Sequence, residues 1–230
     1  MSEKQPETIE QLKSEFKRLE GKPRELTPEI IGELKSKHGD DLHWVGDGEH
    51  RFVVRGPTVK EWVKYNDDED DDGTDENQEL VQACVVWPCH ADGSLDIVAL
   101  GVILEARPGL LSVALSEIKE IAGAIGNERG PGGDDVPSEA RRHGDTHWVG
   151  KSVDRFYVRR PSLAEWQRHM DRMTKASSWD NMRAMVEEMT VHPDREMLAR
   201  IIERRPGLVE TASLAINDLA GARSGSAGKL

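Results

Sequence analysis

Apolar residues recur at helical spacing along most of the chain, and two short stretches in each half alternate apolar and polar residues instead. In the first half, the spacing predicts a short helix over 28–38, a helix entered at Pro57, a helix over about 78–87, a helix that stops at Arg107 and a helix over 111–121. The alternating stretches, 42–45 and 51–55, flank a turn rich in Gly and Asp and predict a β-hairpin. We therefore expect a mainly α fold with one small β-hairpin per module, an α+β protein.

The predicted helix starts carry capping residues. Thr27 stands directly before the first helix, where its hydroxyl can accept a hydrogen bond from a free backbone N–H. Thr58 and Ser162 each stand three residues before a glutamate, Glu61 and Glu165, which is the spacing of a capping box. The same start signal thus appears in both halves of the chain.

The sequence contains an internal repeat. The motif HWVG at 43–46 returns at 147–150, and RFxVRxP at 51–57 returns at 155–161 at the same offset. Further on, ILEARPGL at 103–110 matches IIERRPGL at 201–208, and IAGA at 121–124 matches LAGA at 219–222. Matches in one order over about ninety residues indicate two tandem copies of one module.

The repeat suggests a division of the chain into five parts. We predict an N-terminal arm at 1–25, a first module at 26–125, a flexible linker rich in Gly and Pro at 126–134, a second module at 135–222 and a flexible tail at 223–230. Each module is near the lower size limit of an independent domain, so the two could dock to share apolar surface.

The N-terminal arm holds a predicted amphipathic helix over 8–20. Ile9, Leu12, Phe16 and Leu19 follow one another by three or four residues and form one apolar stripe. The second module has no equivalent. Two interpretations stay open: an extension packed on the first module, or an arm that binds a partner or a second copy of the chain.

Composition and charge narrow the class of protein. Asp plus Glu number 43 against 31 Lys plus Arg, a formal net charge of −12, which argues against nucleic acid as a partner. No apolar run of 18 residues is present, so we expect no membrane span. The first ten residues lack the apolar core of a secretory signal, and the two cysteines fit a reducing compartment. We therefore expect a cytoplasmic location.

An acidic run over 67–79 concentrates much of this charge and matches the calcium loop of an EF-hand. Positions 1, 3, 5, 6 and 12 would be Asp68, Asp70, Asp72, Gly73 and Glu79. A run this acidic meets the pattern easily, and the second module has no acidic loop at the equivalent place. We favour a solvated loop between helices over a calcium site at 68–79.

The remaining candidates for chemistry are weaker. The set His38, His43, Cys84, Cys89 and His90 matches no standard zinc spacing. No nucleophile elbow, phosphate loop or HExxH motif occurs. The sequence therefore predicts no catalytic, cofactor-binding or metal-binding residue, no cofactor and no enzyme activity.

Recurring tryptophans and arginines mark the hairpin and the helix after it. These residues are Trp44, Trp62, Trp148 and Trp166, with Arg51, Arg55, Arg155 and Arg159 on the hairpins. We expect the tryptophans to pack hairpin against helix, with a groove for an apolar partner as the alternative. We expect the arginines to form surface ion pairs.

The order RFxVRxP[T/S]xxEW, two helices, RPGL and a closing helix resembles the tail assembly chaperones of long-tailed bacteriophages. The resemblance covers 51–124 and again 155–222. It implies a non-enzymatic protein that binds the tape measure protein, and keeps it soluble while tail tube subunits assemble around it. This chain differs from that family in carrying two fused modules.

The resemblance leaves some partners open. The tape measure protein is the expected client, the tail tube protein is a further candidate, and homo-oligomer formation is undecided. The alternative functions are an acidic adaptor or scaffold that binds another folded protein, and a calcium-responsive binding protein.

Overall fold

The computed structural model describes residues 25–67, 76–126, 129–133, 136–173 and 178–222. Within these ranges the fold is mainly helical with two small antiparallel sheets, so the predicted α+β class is confirmed. The predicted helix at 8–20, most of the acidic loop and the tail at 223–230 lie outside the described residues.

The first repeat contains five helices and three strands among the described residues. In chain order they are α1 (Pro28–His38), β1 (Leu42–Asp47), β2 (His50–Arg55), α2 (Val59–Asp67), α3 (Glu76–Cys84), β3 (Val85–Trp87), α4 (Ile97–Ala106) and α5 (Leu110–Ala122).

The second repeat runs through the same series of elements. A short strand β4 (Arg129–Pro131) comes first, followed by α6 (Ser138–Arg141), β5 (Thr146–Val149), β6 (Phe156–Arg159), α7 (Leu163–Met173), α8 (Ser178–Met189), β7 (Thr190–His192), α9 (Arg195–Arg204) and α10 (Leu208–Leu219). A single 3-10 turn, Ser152–Asp154, lies between β5 and β6. The order of elements thus confirms the duplication seen in the sequence.

Local details repeat as well. Both capping boxes form: the Glu61 carboxylate accepts from Thr58 N at 2.7 Å, and Glu165 accepts from Ser162 N at the same distance. Gly46, the second-last residue of β1, and Gly150, directly after β5, both have φ +87°. A Cβ there would lie 2.1 Å or 2.5 Å from a backbone oxygen, so each turn needs glycine.

The third strand of each sheet was not predicted. The predicted helix over 78–87 ends at Cys84, and Val85–Trp87 pairs antiparallel with β2. Two β-branched valines and a tryptophan favour a strand, and the residue before Pro88 is disfavoured in a helix. The second repeat behaves alike, with β7 on β6 before Pro193. Both prolines follow cis peptide bonds.

Alternation in β2 places its side chains on two faces, as predicted. Phe52 and Val54 are fully buried on one face. Val53 points to the other face, where it packs with Ile30 and Leu34 of α1. In the second sheet, Tyr157 packs in the same way against Ala140 of α6 and against Val136, which precedes this helix.

Part of the predicted linker is structured. Residues 129–131 form β4, which pairs antiparallel with β5, so the prediction of a flexible segment is wrong for these three residues. Glycine and proline are typical of flexible segments, which is why the sequence predicted one here. The sheet tolerates Pro131 because β4 is an edge strand. Arg129 is also held, since its guanidinium binds the Asp218 carboxylate at 3.2 Å.

By its internal contacts the chain divides into two compact units. Of the described residues, the first unit takes 25–55 and 85–114, and the second takes 56–84 and 115–222. These units do not follow the boundary between the repeats at 126–134. Helices α2 and α3 of the first repeat belong to the second unit, where α2 contacts α8 and α9.

Candidate functional site: the apolar face of helix α4

Helix α4 has an apolar sequence with a single charged residue, Glu105. Asp96 caps its start, because the buried carboxylate accepts a hydrogen bond from Ala99 N at 2.8 Å. Its last turn closes at Arg107, whose N–H donates to the Ile103 carbonyl at 3.0 Å. The helix is therefore well defined at both ends.

One side of α4 belongs to the core of the first unit. Leu100 and Ile103 are buried, and the helix contacts β2. Full burial of an aliphatic side chain of this size stabilises a fold by about 1.5–3 kcal/mol. These two residues are sufficient to explain why α4 is attached to the sheet.

The other side of α4 is apolar and exposed. Ile97 is 64% exposed and Val102 is 49% exposed, with Val98 and Gly101 between them on the helix surface. Successive residues turn by about 100°, so these four positions cover an arc of about 140°. Helices of water-facing surfaces normally carry charge on such an arc.

Helix α9, the equivalent of α4 in the second repeat, has that charge. Arg195 and Arg200 occupy the positions of Ile97 and Val102, and both are exposed. The Arg195 guanidinium binds the Glu187 carboxylate at 3.0 Å, and Arg200 pairs with Glu196 one turn away. The two repeats thus share an inward face and differ in the outward one.

The start of α5 continues the same trend. Val113 is 47% exposed, whereas Thr211 at the equivalent position of α10 is buried and donates its hydroxyl hydrogen to the Gly123 carbonyl at 3.2 Å. Other exposed apolar side chains, Val153, Leu163, Met170 and Met197, are spread over the 3-10 turn, α7 and α9. In the second unit they alternate with charged residues of those elements.

No single helix in the described ranges is long and apolar enough to span a membrane. The bent pair α4 and α5, with an angle of 115° between the helices, meets the same criterion together by length and composition only.

The tryptophans divide into two groups. Trp62 on α2 is buried, so the predicted core packing is confirmed there. Trp44 on β1 is 45% exposed, and core packing is wrong for it. Its ring meets Trp87 edge to face at 6.3 Å, and the Arg51 guanidinium lies 4.8 Å from its centre. Because β1 lies at the edge of its sheet, no described strand on its outer side contributes side chains that would cover Trp44.

The arginines likewise take two roles. Arg159 forms the predicted ion pair with Glu165, at 2.7 Å, and the two groups are mostly shielded from water. This hydrogen bond lowers the pKa of Glu165 to about 2 and raises the pKa of Arg159. Arg155 instead lies over the Trp148 ring at 4.7 Å, matching Arg51 over Trp44.

A half-buried carboxylate, that of Glu210, lies in the second unit. Trp62 Nε1 donates to Glu210 Oε1 at 2.9 Å, and burial raises the pKa of Glu210. Lys119 opposes this shift through its charge. The indole donor offsets part of the cost of burying this group.

The residues considered for metal binding do not form a site in the described ranges. No group of three or more His, Cys, Asp or Glu side chains there could hold a metal ion. Cys84 and Cys89 are buried and not disulfide-bonded. Of the proposed calcium loop, residues 68–75 lie outside the described residues, and Glu79 binds Lys64 Nζ at 2.6 Å.

Sequence reasoning did not single out the outward face of α4. The signal was available, because 97–104 is a continuous apolar run with one glycine, and a helix that is apolar all round is normally fully buried. Only the fold shows that half of this helix is left uncovered by the described residues.

Comparison with known proteins adds one match. A family model described as a domain of unknown function, DUF6848, matches residues 150–228. The match begins at Gly150, directly after β5, and takes in β6 to α10, which is most of the second repeat. No curated protein and no solved structure matches the chain.

Proposed function

We propose that this protein is a non-enzymatic tail assembly chaperone that binds the tape measure protein through the outward face of α4. The observation that carries the proposal is the exposed, uncharged arc of Ile97, Val98, Gly101 and Val102. The repeated RFxVRxP[T/S]xxEW and RPGL motifs supply the resemblance to that class of proteins. The site of action is the cytoplasm of the host cell.

An exposed apolar helix face suits an elongated helical client. A tape measure helix presents apolar stripes before the tail tube encloses it, and such stripes bind to an apolar face through residues three or four apart. Each Val or Ile side chain that becomes fully buried in the complex contributes about 1.5–3 kcal/mol. Two or three anchors of this kind contribute about 3–9 kcal/mol before the costs of association are subtracted. A micromolar complex needs about 8 kcal/mol net, so the client has to make further contacts beyond these anchors.

The charge of the chain supports the same role. A net charge of −12 keeps a complex with an apolar client in solution and repels further copies of the chaperone. The equivalent arc of α9 is charged, so the proposal assigns client binding to the first repeat alone. One chain then binds one apolar stripe of the client, and the second repeat does not contact the client.

The test exchanges the outward residues between the two helices. The double variant Ile97→Arg/Val102→Arg gives α4 the residues of α9 and should weaken binding to the co-expressed tape measure protein at least 10-fold. The matched variant Arg195→Ile/Arg200→Val should keep binding and add a second, weaker site. Binding is measured by co-purification and by isothermal titration calorimetry, with urea unfolding as the check on folding.

Unchanged binding by the folded Ile97→Arg/Val102→Arg protein contradicts the proposal. Deletion of residues 1–22 separates it from the adaptor function, in which the N-terminal arm makes the contact. Loss of binding on that deletion, with α4 intact, favours the adaptor, whereas retained binding favours α4.

A further inference from the structure

The two sheets differ at one edge. In the second repeat, β5 is flanked by β4 on one side and β6 on the other, giving the order β4-β5-β6-β7. In the first repeat, the sheet is β1-β2-β3, and none of the described residues forms a strand on the free side of β1. The second repeat therefore shows how a further strand pairs with this edge of the sheet.

Strand β4 binds β5 through backbone groups. Gly130 stands opposite Trp148 in the ladder, and Gly132 N donates to the Thr146 carbonyl at 2.7 Å. Alternate residues of an antiparallel strand direct both N–H and C=O to the same neighbour. Thr146 and Trp148 are thus the residues of β5 that face β4.

The equivalent residues of β1 are Leu42 and Trp44. The Leu42 N–H donates to the Asp40 carbonyl at 2.9 Å, which leaves the Leu42 carbonyl and both backbone groups of Trp44 directed to the free side. Trp44 is 45% exposed, whereas Trp148 beside β4 is half-buried. The exposed indole of Trp44 therefore lies at the edge of β1 with which no described strand pairs.

Glycine is favoured where β4 crosses the Trp148 indole, because a side chain there would crowd the ring. A Cβ on Gly130 would lie 3.2 Å from Trp148 Nε1 and 3.3 Å from two ring carbons. Both indoles also have an arginine over the ring, at 4.8 Å for Arg51 and 4.7 Å for Arg155. The two rings share this arginine contact, and Trp44 also meets a second indole, that of Trp87. A strand added to β1 would pass the Trp44 ring at the position where β4 passes Trp148.

Strand β1 also contains neither proline nor lysine, two residues that protect sheet edges. Proline and lysine commonly block strand addition, and Pro131 at the end of β4 closes the outer edge of the second sheet. Residues 42–45 of β1 are Leu, His, Trp and Val. Residues 25–27 lead directly into α1 and form no strand on β1.

We propose that the free edge of β1 binds an extended segment of another protein by strand addition, with a glycine of that segment opposite Trp44. The backbone of the segment bonds to the Leu42 carbonyl and to both backbone groups of Trp44, as β4 does at β5. Its glycine lies against the indole, as Gly130 lies against Trp148. The site is distinct from the α4 face and does not depend on the client proposed above.

The probe is a synthetic peptide with the sequence of residues 126–133, GNERGPGG, added at millimolar concentration to the full-length ¹⁵N-labelled protein. The control peptide carries Val in place of the glycine that precedes proline. We expect the glycine peptide to shift the Trp44 amide and indole resonances and to slow exchange of the Trp44 amide at least 5-fold. The valine peptide should have no such effect, and Trp148, already paired with β4, is the internal control.

Four results overturn the proposal: no change at Trp44 with the glycine peptide, equal changes with both peptides, protection of Trp44 that rises with protein concentration alone, or protection in the free protein that disappears when residues 1–22 are deleted. The third result assigns the edge to a second copy, and the fourth to the N-terminal arm. The Ile97→Arg/Val102→Arg protein should respond to the peptide like the unmodified one, which separates this site from α4.

Discussion

Helices α4 and α9 occupy the same place in the two repeats and have opposite surfaces. Leu100 and Leu198 are buried at equivalent positions, at 2% and 1% exposure, so both helices attach to their sheets in the same way. Outward, α4 has Ile97 where α9 has Arg195. The two helices thus share the buried residue that attaches them and differ in the residue that faces water.

Because equivalent elements occur in both repeats, the second repeat serves as an internal control for substitutions in the first. An effect that appears in both repeats on equivalent substitutions belongs to the fold. An effect confined to one repeat belongs to a surface that only this repeat has. The following substitutions test the comparison on this basis.

The largest effect is expected from the shared inward face. Leu100→Ala and Leu198→Ala should each lower the free energy of unfolding by about 2–5 kcal/mol, because each leaves a cavity in a packed core. Urea unfolding followed by circular dichroism measures the change. The exposed control Val102→Ala should change it by less than about 0.5 kcal/mol. A large loss at one leucine only would show that the inward faces are not equivalent.

The next effect concerns the sheet edges. Gly130→Val should detach β4 from β5 and cost about 1–3 kcal/mol, because the added side chain meets the Trp148 ring. The indole of Trp148 should then become as accessible as that of Trp44. Amide exchange and acrylamide quenching, with Trp44 as reference, measure this. An unchanged Trp148 would mean that the ring moves aside at little cost.

A smaller effect is expected at the capping box of α7. The pKa of Glu165 is lowered to about 2 from 4.5 by Arg159, so its carboxylate stabilises the fold above pH 4.5 and loses this effect as the pH falls towards 2. Glu165→Gln should remove that dependence and cost about 1–2 kcal/mol at pH 7, since the pair is partly shielded from water. Urea unfolding at stepwise pH measures it. The same pH profile for both proteins would exclude the ion pair as its source.

The smallest effect is expected at the half-buried carboxylate of Glu210 in α10. Burial raises the pKa of Glu210, so the ionised group opposes folding as the pH rises through that pKa. Glu210→Gln keeps an acceptor for Trp62 Nε1 and should raise stability slightly at pH 7 and not at pH 4. The equivalent residue of α5, Ser112, is exposed, and Ser112→Ala should change nothing at either pH. Lower stability of Glu210→Gln at pH 7 would contradict this interpretation.

Much of the fold could be predicted because it depends on local signals. The capping boxes at Thr58 and Ser162, the hairpin turn and the burial of Phe52 and Val54 all follow from residue type and spacing. Strand β3 could not be separated from α3 by such signals, because 80–87 is apolar except for Gln82. Only the pairing with β2 makes the end of this segment a strand.

The candidate sites depended on long-range information that the sequence lacks. The apolar run of α4 fits a buried helix equally well, and its exposure follows from how few neighbours the described residues bring to it. Strand β4 consists of Arg, Gly and Pro, which favour a loop, and it is held by Trp148 and Asp218 far along the chain. Neither contact leaves a periodic pattern in the sequence.

Because α2 and α3 belong to the second unit, cutting the chain between the repeats does not separate two self-contained parts. A fragment starting at 135 would lose β4, along with the helix that contacts α8 and α9, although the repeat in the sequence suggests a clean cut there. Neither repeat therefore holds all of its own contacts. A cut between the repeats separates α2 from its partners α8 and α9, so we expect it to destabilise the second repeat.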